Sequence, residues 1–201
     1  MRTKDKPENM KGLFIMNEIE KYKALSTARF RAIEPIVKNL LGATALINIE
    51  NEQSEALTLL DYKAGIDAIA IINNSAYGIA SRMSTGEYKA FTIREHRQTT
   101  NIITEFEKRK KEMSDASLKP AFTVQAYFSP GKVEIALCKT AELIDYVASN
   151  RNKYQVRTSS DGKNVVDFLV INWSDYRTTG KFFKRTTAML YNENASVLRA
   201  V

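Results

Sequence analysis

Residues 66–83 constrain the fold most, because they spell two short apolar runs on either side of a turn. Ile66, Ala68, Ile69, Ala70, Ile71 and Ile72 form a run rich in β-branched residues and far too short for a membrane span, which reads as a buried strand. Asn73, Asn74 and Ser75 supply turn chemistry, and residues 77–83 read as the partner strand of a hairpin. Alternation along that second strand sends Ala80 and Arg82 to one face and Ser81 to the other. Pairing the two runs brings Asp67, near the start of the first, towards Arg82. An acid able to bind a metal ion then stands near a cation able to steady a phosphate.

These residues resemble the PD-(D/E)XK superfamily, in which an aspartate on one strand and a (D/E)-x-K triplet on the next hold Mg²⁺ at a phosphodiester. The resemblance implies an α/β (α+β) fold with a restriction-endonuclease-like core, a central mixed β-sheet flanked by helices. It also implies metal-dependent hydrolysis of DNA, with Mg²⁺ or Mn²⁺ as cofactor. Asp67 matches the metal-binding aspartate, and Ala80-Ser81-Arg82 falls where the triplet would be. Ala80 brings no ligand. Arg82, always protonated, is implied to stabilise transition-state charge rather than to act as a base. Glu34, on the apolar-patterned segment 30–41, matches the place of an additional helix glutamate, and Asp61 is a further candidate ligand. The implied catalytic set is therefore Asp67, Arg82 and Glu34, with Asp67, Glu34 and Asp61 on the metal. Two readings stay open beside it. Asp61 and Asp67 flanking Lys63-Ala64-Gly65 also fit plain turn chemistry, with Gly65 permitting an unusual backbone angle. The missing carboxylate at Ala80 equally fits a nuclease-fold module that binds nucleic acid or a protein partner, as in a phage or defence locus.

Charge points the same way. The chain of 201 residues has a net charge of +7 and a pI near 9.4. Residues 82–111 hold eight Lys and Arg against four Glu, a clustering that suits phosphates through counterion release. Lys89, Arg94, Arg97 and Lys63 are the expected nucleic-acid contacts, with DNA the expected partner. Phe91, Thr92, Ile93 and Arg94 alternate as a third strand whose polar face presents Thr92 and Arg94. His96, the single histidine, cannot build a multi-histidine metal centre, and among charged neighbours it reads as an exposed side chain.

Other chemistries are thinned by what the sequence lacks. Cys138 is the one cysteine and lies in the apolar run 133–138, which excludes a disulfide within the chain. Phosphate-loop, dinucleotide-fold and α/β-hydrolase signatures are missing. The charged segment 1–12 reads as a flexible lead without an apolar signal core, followed by a single domain over 13–201 with an elaboration from about 150. A cytoplasmic protein without a membrane partner, able to form a homodimer, is the corresponding expectation. Along the chain we expect a helix over 14–41 interrupted or divided at Pro35, a strand over 43–50 and an amphipathic helix over 99–114. A hairpin over 122–138 should turn at Pro130-Gly131, and a helix over 141–149 should be capped by Thr140. A strand over 165–170 follows. Trp173, Tyr176, Phe182, Phe183 and Tyr191, set among basic residues, read as sealing a core edge rather than stacking bases.

Overall fold

A computed structural model of the chain describes residues 8–49, 64–97, 104–113, 119–160 and 165–190, with Ser54, Leu57 and Leu60 in between. Helix α1 (Glu8–Leu41) presents Phe30, Ile33 and Val37 as one buried row and ends at Gly42, whose φ of 68° closes the turn. It begins within the segment expected as a lead, and it runs unbroken through Pro35 where the sequence predicts an interruption. Pro35 and Arg31, the residue whose carbonyl loses its helical partner, are both exposed, so water can satisfy that carbonyl.

Six strands form a mixed sheet: β1 (Ala45–Asn48), β2 (Ala68–Ile72), β3 (Ser75–Thr85), β5 (Pro120–Ser129), β6 (Lys132–Lys139) and β9 (Phe183–Met189), in that spatial order. Every neighbouring pair is antiparallel except β3 and β5, which run parallel. The β2–β3 hairpin turns on Asn73 and Asn74, both at positive φ (49° and 61°), the two-residue geometry that matches strand twist. Between β3 and β5 the chain leaves the sheet. It forms β4 (Ala90–Arg97) and α2 (Glu105–Met113), and β4 joins β7 (Gln155–Ser160) and β8 (Val165–Asn172) in a second, three-stranded antiparallel sheet ordered β4-β8-β7. Helix α3 (Thr140–Asn150) follows β6, and the short α4 (Trp173–Arg177) follows β8.

Two apolar layers separate these parts. On one face of the large sheet, α1 packs Phe30, Ile33 and Val37 on Ala68, Ile79, Val124 and Ile135. On the other face, Tyr127 and Cys138 meet α3 through Leu143 and Val147 and meet the small sheet through Phe91 and Ile171. The region expected as a C-terminal elaboration thus supplies β9 to the large sheet and β7 and β8 to the small one. Trp173 and Tyr176 lie in this core, at 1% and 0% exposure, as the sealing reading expects; Tyr191 is outside the described residues. Thr140 does not cap α3. Lys139 holds the cap position without a side-chain bond, and the Thr140 hydroxyl is drawn to Thr123, 2.9 Å away across the β5–β6 pair. No helix among the described residues is long and apolar enough to cross a membrane.

Gly65 takes the unusual angle expected of it, at φ 56°. The buried Arg109 of α2 reaches over it, donating to the carbonyls of Ala64 (2.6 Å) and Gly65 (2.8 Å), and a β-carbon at Gly65 would sit 2.6 Å from Nη2. Gly65→Ala should therefore lower stability by about 2 kcal/mol, combining the left-handed strain of about 1–2 kcal/mol with displacement of Arg109. A drop in the urea midpoint at unchanged slope measures this; an unchanged midpoint contradicts it.

Candidate nucleic-acid interface

Strand β3 outruns β2. Pairing with β2 covers 75–79, leaving the β2-side edge of Ala80 to Thr85 without a strand partner among the described residues. The Asp67 carboxylate fills the first vacancy, accepting the Ser81 N–H through Oδ2, while its own N–H donates to the Ile79 carbonyl at 2.8 Å. Asp67 is thus tied to the triplet position, but through the backbone of Ser81.

Arg82 points to the face opposite α1, where β4 passes. Its Nη1 donates to the Thr92 carbonyl (2.9 Å) and hydroxyl (3.1 Å), and its Nη2 pairs with Glu105 Oε2 at 2.6 Å. The same Glu105 oxygen accepts the Arg94 N–H at 3.3 Å. Behind Arg82, the Thr92 hydroxyl donates to the buried Gln125 (3.2 Å), whose amide nitrogen lies 3.4 Å from the Ser84 hydroxyl. This network joins β3, β4, β5 and α2, so Arg82 is held in place by both sheets.

Over the network opens a cleft of about 490 Å³, lined by β3 and Tyr127 of the large sheet, by β4, β8 and β7 of the small sheet and by the connection between β3 and β4. Arg82, Arg94 and Arg157 line it without any lining carboxylate among the described residues. Aromatic rings alternate with the cations: the Arg82 guanidinium lies 5.4 Å from the Phe168 ring and that of Arg157 5.7 Å from the Tyr88 ring. Tyr127 closes the floor, its hydroxyl donating to the Ala90 carbonyl at 3.0 Å and so bonding one sheet to the other. Burial pushes that phenol up to about 12, more than the nearby Arg82 pulls it down, so it stays a donor at physiological pH. Fixed cations, hydroxyls and ring faces suit an anionic, partly aromatic ligand.

Other expected residues lie elsewhere. Glu34 is on α1, across the large sheet from Arg82, because the Phe30–Ile33–Val37 row fixes which sheet face the helix covers. Lys89 is beside the cleft but pairs with Glu134 at 3.2 Å. His96 and Arg97 end β4 with side chains outside the described part, and Asp61 and Lys63 fall outside the described residues altogether. The carboxylates in view do not make up the Mg²⁺ or Mn²⁺ centre that the resemblance implies. Asp67 has one oxygen committed to Ser81, Ala80 contributes a methyl group, and no group of three or more His, Cys, Asp or Glu able to hold a metal occurs among the described residues.

Tyr88, Glu105, Arg157 and Phe168 are site residues that sequence reasoning did not single out. The alternation of Val156, Arg157 and Thr158 is the signal that marks β7 and its cleft-facing arginine. Tyr88, in a connection, gives no periodic signal. Compared with protein-family models, with curated proteins and with solved structures, the chain matches none.

Proposed function

We propose that the chain is a nucleic-acid-binding module that holds phosphodiester groups in the cleft between its two sheets. The observation that carries this reading is the set of three arginines, interleaved with aromatic rings and hydroxyls, in one cleft whose lining has no carboxylate among the described residues. The chain order of helix, strand, hairpin, further strand, helix, strand pair and helix is close to the one the resemblance implies for a restriction-endonuclease-like core, with β4 in the second sheet rather than beside the hairpin. The test is Arg94→Ala, which changes an exposed side chain: retention of nucleic acid should weaken about equally across sequences, and the salt slope should fall by about one. Unchanged retention and slope would refute the reading.

A second reading, Mg²⁺-dependent hydrolysis of DNA, is favoured by one contact. The Asp67 carboxylate touches the 80–82 triplet, the pairing that the resemblance implies. Incubating the protein with plasmid, linear duplex and single strands in Mg²⁺, Mn²⁺ or EDTA separates the two readings, with Asp67→Asn chosen because it keeps an acceptor for Ser81. Retention without cutting supports the binding module. Metal-dependent cutting that Asp67→Asn abolishes supports the nuclease.

A further inference from the structure

The cleft differs from a duplex-binding surface in shape. Proteins read duplexes by inserting a helix or strand ribbon into a groove, or by laying cations along the outer phosphates, whereas bases inside a stack cannot reach rings at the bottom of a concavity. Here the rings line a concavity walled by strands of two sheets, and its volume of about 490 Å³ is within the range of small-ligand seats. The ring best placed to meet a ligand is Tyr88, which is 59% exposed. It is held from two sides: Tyr127 meets it at 6.0 Å in a tilted arrangement, and the Arg157 guanidinium lies over it at 5.7 Å. Tyr127 is buried and bonded to Ala90, so Tyr88 rests on a fixed floor and makes with Arg157, which is also exposed, a cationic aromatic platform open to solvent.

Resting on the reading of the cleft as a phosphodiester seat, we infer that its ligand is an unpaired nucleic-acid strand, with a base stacked on the Tyr88–Arg157 platform and the adjoining phosphates at Arg94 and Arg82. A planar base completes a stack that the protein has already begun, and every base has a π-face, so the platform takes single strands without strong sequence preference. Thr85, exposed at the cleft, supplies a hydroxyl for sugar and base edges, whereas the Thr158 hydroxyl is already donated to Asp167 at 2.8 Å. A duplex would have to surrender a base to use the same platform.

The test uses the full chain with labelled oligo-dT, oligo-U, an abasic oligomer of the same length and a blunt duplex, comparing wild type with Tyr88→Ala, Tyr88→Phe and Arg94→Ala. Tyr88→Ala should weaken retention of both oligo-dT and oligo-U by roughly tenfold. Tyr88→Phe should restore wild-type retention, and Tyr88→Ala should leave the abasic oligomer unaffected, because that probe offers phosphates without bases. Equal losses on the abasic and base-bearing probes, or a duplex held as tightly as the single strands, would overturn the inference. If Arg94→Ala weakens every probe while Tyr88→Ala weakens none, the inference fails and the phosphodiester reading stands; if neither variant changes retention, both fail.

Discussion

Trp173→Ala should cost about 3–5 kcal/mol of stability, a large share of the roughly 5–15 kcal/mol that holds a domain of this size together. Trp173 opens α4 at the end of β8 and is 1% exposed. Its ring meets Tyr127 of the large sheet at 5.7 Å and Phe91 of the small sheet at 6.2 Å, with the Arg185 guanidinium 5.4 Å from its centre. Removing it opens a cavity where the two sheets meet, between neighbours whose strands are pinned by their own ladders and cannot collapse inward. The indole nitrogen is buried without a hydrogen-bond partner among the described residues, so Trp173→Phe forfeits volume but none of the polar contacts described and should cost about 1–2 kcal/mol. Because the variants lack the chain's single tryptophan, urea unfolding is followed by far-ultraviolet circular dichroism. Equal midpoints for Trp173→Ala and Trp173→Phe would show that the sheets do not depend on this contact.

The second large effect concerns Arg82 and Glu105, and it has two signs. Arg82→Ala removes a cation from the cleft and strands the Thr92 carbonyl and the Glu105 carboxylate, which keeps only the Arg94 N–H among its bonds described above. With side chains 22% and 28% exposed, the pair is screened too little to be negligible and too much to count as a buried pair. Loss of Arg82 should accordingly lower stability by about 2 kcal/mol and nucleic-acid retention by roughly tenfold or more. Glu105→Gln moves retention the other way. It keeps an acceptor for Arg94 but withdraws the negative charge that, on the proposed reading, would compete with phosphate for Arg82, so affinity should rise several-fold while stability falls by about 1 kcal/mol. Single and double variants closed into a thermodynamic cycle measure the coupling. Weaker retention in Glu105→Gln would mean that the carboxylate orients Arg82 for its ligand instead of competing with it.

Local pattern made some elements legible and left others hidden. The 66–83 hairpin was legible because β-branched runs and an Asn-Asn turn are short-range signals that agree, and Pro130-Gly131 marked β5–β6 equally well. Alternation in β4 correctly separated Thr92 and Arg94 from Phe91 and Ile93. Hydrophobic pattern does not choose partners, so nothing local announced that β4 would desert the hairpin for the sequence-distant β8, pairing Ala90 with Asn172, or that β9 would return to β6. The site inherits that limit. Arg82 was expected to share a groove with Asp67, yet the side chain that pairs with it is Glu105, placed there by an excursion of the chain that only tertiary packing determines.

That excursion orders events in time. Residues 8–85 complete α1 and the β1–β2–β3 meander from neighbouring segments, whereas β4 is paired only once β8 exists, and the cleft wall that carries Arg157 and Phe168 is made later than the wall that carries Arg82. During synthesis β4 is therefore a strand with two bare edges, the state most open to mispairing with other chains, and closing it requires contacts distant in sequence, which form slowly. The cleft cannot be complete before β8, which supplies Phe168 and Val170, has been made. A nascent molecule therefore holds no assembled cleft until β7 and β8 have been made and β8 has paired with both β7 and β4.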